Sequence, residues 1–235
     1  RFGPQLPFLL KLIAPDQALS LQVHPSLEQA TEGFQLENEA GLALDDPARS
    51  YKDANHKPEM VLALSRYEAV AGFRAPRRAA EVLAGLDSAL AHRMRRTLRL
   101  NPTRFGIRQV FTDLVSEDAR PTTVEIDELV AEIAARISQG ASPSPRVDAN
   151  AVVMARAFPG DPGVAAALLL NPVTLQPGEA LFVPAGSVHA YISGLGVEIM
   201  ASSDNVLRAG LTSKHVDVPE MLACVDYVAA PPVRP

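Results

Sequence analysis

Short apolar segments that end in proline or glycine recur near both ends of this chain. Of its 235 residues, 20 are proline and 14 are glycine. In residues 1–76, and again from about residue 151, prolines and glycines separate apolar runs that are too short for a helix, such as 181–183. Many short strands joined by Pro and Gly turns are typical of β-sandwiches and jelly rolls. We therefore predict a mainly β fold of the jelly-roll type with one helical insert.

The insert is the middle of the chain, residues 77–150, where the pattern is helical. A predicted amphipathic helix has apolar residues every three or four positions, namely Ala79, Leu83, Leu86, Leu90 and Met94. A second helix is predicted through Ile126 and Ile133, and Thr122 and Glu125 have the spacing of a capping box at its start. We thus expect a first β segment at 1–76, the helical insert at 77–150 and a second β segment at 151–235.

The composition argues against several classes of protein. The chain has 22 Lys and Arg against 27 Asp and Glu, a formal net charge of −5, so we do not expect it to bind nucleic acid. No apolar stretch reaches the roughly 18 residues of a membrane span. The single cysteine, Cys224, cannot form an internal disulfide, and no secretory signal pattern is seen. We expect a cytoplasmic protein with local basic groups for a small anionic ligand.

Polar and apolar residues alternate along LSLQVH, residues 19–24. Because side chains alternate between the two faces of a strand, Ser20, Gln22 and His24 share one face. Gln22 and His24 can offer an amide oxygen and an imidazole nitrogen to one ion. Glu59 opens a second predicted strand and can add a carboxylate if the two strands are close. On this spacing alone, a face that only forms hydrogen bonds is an equally good interpretation.

A second segment has the pattern Gly178-x5-Pro184-x-Gly186-x2-His189. Its glycines allow tight turns, and Pro184 restricts one backbone angle, so the turn can aim His189 into a barrel. An ordinary Pro/Gly hairpin is the alternative. The segment resembles the second metal-binding motif of the cupin superfamily, and its combination with the polar face at Gln22 and His24 strengthens that interpretation.

Four blocks of sequence extend this resemblance to one family. In chain order they are LPFLLKLIAPDQALSLQVHP (6–25), DANHKPEM (53–60), VPAGSVHAY (183–191) and VEIMASSDNVLRAGLTSKHVDV (197–218). They closely resemble type I mannose-6-phosphate isomerase, also called phosphomannose isomerase, from about residue 5 to about residue 228. That family is a zinc-dependent cupin with a helical domain between its jelly-roll parts, and its members are usually longer at both ends.

The resemblance implies a metal site and a substrate site. The implied ligands of one Zn²⁺ per chain are Gln22, His24, Glu59 and His189. Two nitrogens and two oxygens suit Zn²⁺, and Mn²⁺ or Fe²⁺ also accepts such ligands. The implied substrate-binding residues are Lys11, Ser20, Tyr191 and Lys214, and Arg208 is implied to act in the active site. Arg, Lys and hydroxyl groups are suitable donors to a sugar phosphate. For Lys11 and Lys214, a solvated surface charge is the competing interpretation.

The residue that transfers the proton stays open among several candidates. An aldose becomes a ketose when a proton moves between C2 and C1 through an enediol, which requires a general base and positive charge near the oxyanion. By resemblance and position, the candidates that accompany Arg208 are His56, Lys57, Glu198 and Asp204. Each can also be an ordinary polar residue at a strand end or in a loop.

The resemblance implies a zinc-dependent isomerase that interconverts mannose 6-phosphate and fructose 6-phosphate. A second hypothesis is a cupin that binds a metal and a sugar phosphate without catalysis. A third, an iron-dependent cupin dioxygenase, fits less well, because such sites use His-rich ligand sets. The first two hypotheses both predict a bound metal, and only the first predicts turnover of the sugar phosphate.

Overall fold

The computed structural model describes residues 6–235, so residues 1–5 of the first predicted β segment lie outside the described residues. The strands are β1 (Phe8–Ile13), β2 (Leu21–Val23), β3 (Glu59–Ala63), β4 (Tyr67–Phe73), β5 (Leu170–Leu175), β6 (Ala180–Val183), β7 (His189–Ser193), β8 (Gly196–Ala201) and β9 (Leu207–Gly210). The helices are α1 (Leu27–Glu39), α2 (Pro76–Val82), α3 (Ala89–Leu100), α4 (Arg104–Val115), α5 (Thr123–Ser138), α6 (Pro145–Ala157), α7 (Gly163–Ala167) and α8 (Val218–Cys224). Helices hold 37% of these residues and strands 20%, so a mainly β fold is not confirmed.

Two antiparallel sheets face each other. One has the strand order β1-β8-β3-β6, and the other has the order β5-β4-β7-β2-β9. Buried side chains of both sheets form one apolar cluster, in which Val61 and Leu181 of the first sheet pack with Val173 and Tyr191 of the second. The two sheets therefore enclose a common interior, which the ends of several strands also reach.

The helices cover the other face of the five-stranded sheet. Val70 of β4 and Ala190 of β7 belong to a second core, which they share with apolar residues of α2 to α7. Their neighbours Ala69 and Tyr191 belong to the cluster between the sheets, as the strand period of two requires. The five-stranded sheet is thus the middle of three layers. In residues 6–235, no helix is long and apolar enough to cross a membrane.

The single helix that we predicted through Ala79 and Met94 is wrong. The chain forms two helices there, α2 and α3, and Gly85 lies between them with φ of 75°. A positive φ is accessible to glycine and interrupts the helical hydrogen-bond series. All the apolar residues that predicted the helix are nevertheless buried in the second core. Ala79 of α2 and Leu90 and Met94 of α3 face that core, and Leu83 and Leu86 reach it from the segment between the helices.

The second predicted helix is confirmed as α5. The side chain of Thr122 accepts a hydrogen bond from the backbone N–H of Glu125, and the Glu125 carboxylate accepts one from the Thr122 backbone N–H at 2.9 Å. Further along, the buried Arg136 forms two hydrogen bonds with Asp148 of α6, at 2.5 and 2.6 Å. This buried ion pair fastens α5 to α6, since separation would leave either charge without compensation.

Two of the predicted strands are present where the sequence places them. The strand that Glu59 opens is β3, and the apolar run at 181–183 lies in β6. The strand expected at 19–24 is shorter, and Leu19 packs between the sheets instead of sharing the face of Leu21 and Val23. Strands expected from about residue 151 begin only at Leu170, because α6 and α7 precede them.

Candidate metal centre and active site

Three polar residues project from neighbouring strands of the five-stranded sheet towards the space between the sheets. Gln22 of β2 lies directly opposite His189 of β7 on one side and opposite Arg208 of β9 on the other. Directly opposed residues of antiparallel strands place their side chains on the same face. Glu59 is the first residue of β3 in the facing sheet. The fold therefore brings four predicted site residues to one interior.

His24, Glu59 and His189 meet there in a buried cluster. Nε2 of His24 lies 3.1 Å from Oε1 of Glu59, and Nε2 of His189 lies 3.3 Å from Oε2 of the same carboxylate. One potential ligand atom from each residue lies within 4.8 Å of the other two. The amide nitrogen of Gln22 lies 3.3 Å from Nε2 of His189, and an amide flip brings its oxygen to this position. The cluster and the Gln22 amide are referred to below as the His–Glu–His centre.

The tautomers of the two histidines leave nitrogen lone pairs inside this centre. Nδ1 of His24 lies 2.7 Å from the carbonyl oxygen of Asn205, and Nδ1 of His189 lies 3.0 Å from that of Ser187. A carbonyl oxygen can only accept, so each Nδ1 carries a proton, and in the neutral imidazole the lone pair is on Nε2. Nε2 of His24 is buried without a well-formed hydrogen bond among the described residues. Lone pairs that face a carboxylate fit a divalent cation between them.

The electrostatics of the centre favour the protonation states that metal ligands need. Burial lowers the pKa of His24, against the opposing effect of Glu59, and this favours the neutral imidazole. Burial alone would raise the pKa of Glu59, but the neighbouring His189 and His24 hold it well below its usual range. Neutral imidazole and ionised carboxylate are the forms that bind a metal ion.

The turn at Pro184–Gly186 supports both histidines. Gly186 has φ of 78°, and its N–H donates to the backbone carbonyl of His24 at 2.9 Å. Its own carbonyl accepts from the N–H of Asp226 at 2.9 Å. A Cβ at this position would lie 3.1 Å from the Asp226 Cβ, so the positive φ favours glycine and the space for a side chain is tight. The turn that the sequence placed before His189 thus also holds His24.

Two further charged residues lie beside the His–Glu–His centre. Lys57 is buried, and its Nζ lies 3.1 Å from Oε1 of Glu59. Glu198 of β8 is buried and lies opposite Lys11 of β1 in the sheet. Burial and the charge of Glu59 raise the pKa of Glu198 to about 7, against the opposing effects of Lys57 and Lys11. A carboxyl group that titrates near neutral pH can both accept and release a proton.

Arg208 and Tyr191 face the same interior with different partners. Arg208 is half-buried, which lowers its pKa, and its guanidinium has no hydrogen bond or ion pair within residues 6–235. A guanidinium without a protein partner is available to an anion. Tyr191 is buried, and its hydroxyl donates to Oε2 of Glu59 at 3.4 Å, so it forms a wall of the centre.

Among residues 6–235, other predicted site residues lack polar contacts with the His–Glu–His centre. In the described part of the chain, no hydrogen bond or ion pair joins the side chains of His56, Asp204 or Lys214 to it. Asp204 is exposed and lines a separate surface cavity of about 660 Å³. Lys214 is exposed in the loop after β9, and Ser20 is half-buried just before β2. The structure thus gathers the metal-ligand candidates more closely than the substrate-binding candidates.

Sequence reasoning assigned no role to Asn205, which is fully buried beside the centre. Its carbonyl holds Nδ1 of His24, while its side chain fastens the loop of residues 52–55, which leads into His56 and Lys57. The side-chain partners are the N–H groups of Lys52 (2.7 Å) and Asp53 (3.2 Å) and the carbonyls of Asp53 (2.8 Å) and Asn55 (2.9 Å). In sequence, an Asp-Asn pair predicts only a turn, so no local signal identifies this function.

We expect Asn205→Ala to lower the free energy of unfolding by about 3 kcal/mol, because each buried group that loses its partner costs about 1–3 kcal/mol. Urea unfolding followed by circular dichroism measures the change. The control is Gln139→Ala, which removes an exposed amide without a side-chain hydrogen bond in the described chain and should change stability little. A loss below about 1 kcal/mol for Asn205→Ala would mean that the loop holds itself in place.

Comparison with known proteins confirms the resemblance seen in the sequence. Residues 1–76 match the family model for the catalytic domain of type I phosphomannose isomerase. The mannose-6-phosphate isomerases of Salmonella typhimurium and Escherichia coli are 40% and 38% identical over 234 residues, which is 98% of this chain and 56% of each relative. The corresponding protein of Homo sapiens is 33% identical over 236 residues. The chain spans just over half the length of these curated relatives.

Solved structures agree with these relatives. A crystal structure of a phosphomannose isomerase mutant from Salmonella typhimurium matches with a TM-score of 0.84 and 36% identity, and covers 98% of this chain and 56% of that chain. A zinc-bound mannose 6-phosphate isomerase matches with a TM-score of 0.81 and 38% identity over the same shares. Facing antiparallel sheets around a buried His–Glu–His centre are consistent with a cupin-like fold that can hold a metal ion. In sequence and fold, the chain is similar to the type I phosphomannose isomerases over just over half of their length.

Proposed function

We propose that this protein is a zinc-dependent isomerase that interconverts mannose 6-phosphate and fructose 6-phosphate in the cytoplasm. The observation that carries this conclusion is the buried convergence of His24, Glu59 and His189, in a chain whose relatives have that name and have been solved with zinc. We propose that these residues hold one Zn²⁺ per chain and that the Gln22 amide is the fourth ligand, since it adjoins His189.

We further propose that the two sheets are the halves of a cupin-type jelly roll, with residues 77–150 as the helical insert. Support comes from the strand order, because segments 1–76 and 151–235 each contribute strands to both sheets. Strand β3 pairs with β6 and β8, and β2 pairs with β7 and β9. The helices continue beyond the proposed insert as far as Ala167.

The charged residues around the centre suit a sugar phosphate. Arg208, half-buried and without a partner in residues 6–235, is the proposed active-site cation, because a guanidinium can bind an anionic group with two parallel hydrogen bonds. Lys11 and Ser20 are proposed phosphate contacts near the same interior, and Tyr191 is proposed to line it. Lys214 remains a prediction from the resemblance. A zinc ion, when bound, would supply further positive charge for a developing oxyanion.

Glu198 is the proton-transfer residue that we favour. Its carboxylate would take the proton from C2 of mannose 6-phosphate while O1 is protonated, which gives the enediol. Loss of the O2 proton and return of a proton to C1 then give fructose 6-phosphate. Its burial and its pKa of about 7 support this role, and the ammonium of Lys57 can stabilise the oxyanion. His56 and Asp204 are less favoured, because neither side chain forms a hydrogen bond or an ion pair with the centre among the described residues.

The test is conversion of fructose 6-phosphate to mannose 6-phosphate by the purified chain. We expect turnover with zinc, loss of turnover after chelation, and recovery when zinc is returned. Circular dichroism and zinc analysis confirm that each sample is folded and loaded. A folded, zinc-loaded chain that binds the sugar phosphate without converting it would overturn the isomerase and support the non-catalytic cupin.

A further inference from the structure

A second group of concave surfaces lies on the helical layer, around α3. One cleft between α2 and α3 has a volume of about 380 Å³, and an adjoining cleft has a volume of about 390 Å³. Arg95 and Arg99 line both clefts, because residues four apart lie on the same face of a helix. No residue of the His–Glu–His centre lines either cleft. We refer to the two together as the α3 clefts.

The α3 clefts have an excess of positive charge. Four arginines line them, namely Arg77, Arg95, Arg96 and Arg99. Within residues 6–235, none of the four has a carboxylate partner. The one carboxylate that lines the clefts belongs to Glu81, and Arg78 already binds it at 2.8 Å. The local charge is therefore uncompensated by the chain that the structure describes.

Arg95 differs from an ordinary solvated surface arginine in the burial of one guanidinium nitrogen. Its Nε is buried and has no hydrogen-bond partner among the described residues. A buried N–H of a charged group without an acceptor is unfavourable, and the nearby cation of Arg99 adds repulsion. An anion bound in the α3 clefts would reduce this repulsion and could pair with the terminal guanidinium nitrogens of Arg95.

The size and the lining of the clefts indicate the kind of anion. Volumes of 380 and 390 Å³ are those of small-molecule sites. Besides the arginines, the lining includes small apolar groups such as Ala80, Ala84 and Pro102, which suit the uncharged part of a ligand. Guanidinium groups match phosphate oxygens in pairs, and several arginines suit more than one phosphate. We propose that the α3 clefts bind a small molecule that carries at least two phosphate groups.

The experiment is calorimetric titration of the full chain with inorganic pyrophosphate at constant ionic strength. We expect binding by the wild type, and at least tenfold weaker binding by Arg95→Met and by Arg99→Met. Methionine retains an apolar stem of similar length, and Arg99 is exposed, so that variant should fold. Arg120→Met removes an exposed arginine outside the clefts and should bind as the wild type does.

A third variant separates this site from the proposed substrate site. Arg208→Ala should retain pyrophosphate binding at the α3 clefts, whether or not the chain is an isomerase. If Arg208→Ala abolished all pyrophosphate binding, or if Arg99→Met bound it as tightly as the wild type, the α3 clefts would not be the site. Binding of a single-stranded oligonucleotide without any binding of pyrophosphate would also overturn the proposal, in favour of a polymeric anion.

Discussion

His189→Ala is expected to abolish stoichiometric zinc binding. His189 is fully buried, its Nδ1 is held by the Ser187 carbonyl, and its Nε2 lies 3.3 Å from Glu59. Alanine removes one of the two proposed nitrogen ligands, and the cluster of described residues contains no third histidine to replace it. Loss of a group that merely orients a ligand weakens metal binding about 10–100-fold, so loss of the ligand itself should exceed about 100-fold. Zinc analysis after dialysis against a weak chelator measures the effect.

The matched control for this experiment is His92→Ala. His92 lies on α3 and is exposed, so its removal should leave the zinc content unchanged. Circular dichroism identifies a variant that fails to fold, and in that case His189→Asn, which retains more of the side-chain volume, replaces it. Full zinc content in a folded variant without the His189 imidazole would contradict the ligand assignment.

Arg208→Ala is expected to retain zinc and to lose most of the turnover. Arg208 lies opposite Gln22 in the sheet, faces the interior, and has no partner in the described chain that its removal would leave unpaired. Removal of a group that stabilises charge in the transition state costs about 10²–10³-fold in kcat. Steady-state kinetics on zinc-loaded protein measure this loss, and the zinc content of the same sample shows whether the metal remains.

Two further variants serve as comparisons for Arg208→Ala. Arg208→Lys keeps the charge but cannot form two parallel hydrogen bonds, so it should restore little of the lost rate. The exposed Arg120→Ala should behave as the wild type does. A turnover of Arg208→Ala close to that of the wild type would show that Arg208 is an ordinary partly exposed charge.

The parts of the site that could be predicted from sequence are those with local patterns. The period of a strand placed Gln22 on the polar face, and the structure confirms that Gln22 faces away from the apolar pair Leu21 and Val23. The Gly and Pro spacing before His189 predicted a tight turn, and Gly186 indeed has positive φ. The capping box of Thr122 and Glu125 predicted the start of α5, because its two partners are only three residues apart in the chain.

The sequence patterns gave wrong or incomplete predictions where two local signals conflicted, or where the interacting residues were far apart in the chain. The apolar period through Ala79 and Met94 continues across two helices, and only the conformation of Gly85 shows the break. Leu19 follows the alternation in sequence yet packs on the other side, because the regular strand starts after it. Asn205 looks like a turn residue, and its importance depends on hydrogen bonds to a loop that lies 150 to 153 positions earlier.

The sequence by itself determined the local elements, the ligand types and the family resemblance, because side-chain period, turn chemistry and motif spacing are properties of neighbouring residues. Only the tertiary structure decided that Gln22 and His189, which are 167 positions apart, lie side by side, and that Glu59 meets both histidines from the facing sheet. The raised pKa of Glu198 and the buried Nε of Arg95 also belong to this level. Burial and the approach of charges depend on which strands and helices pack together, and no spacing along the chain specifies that.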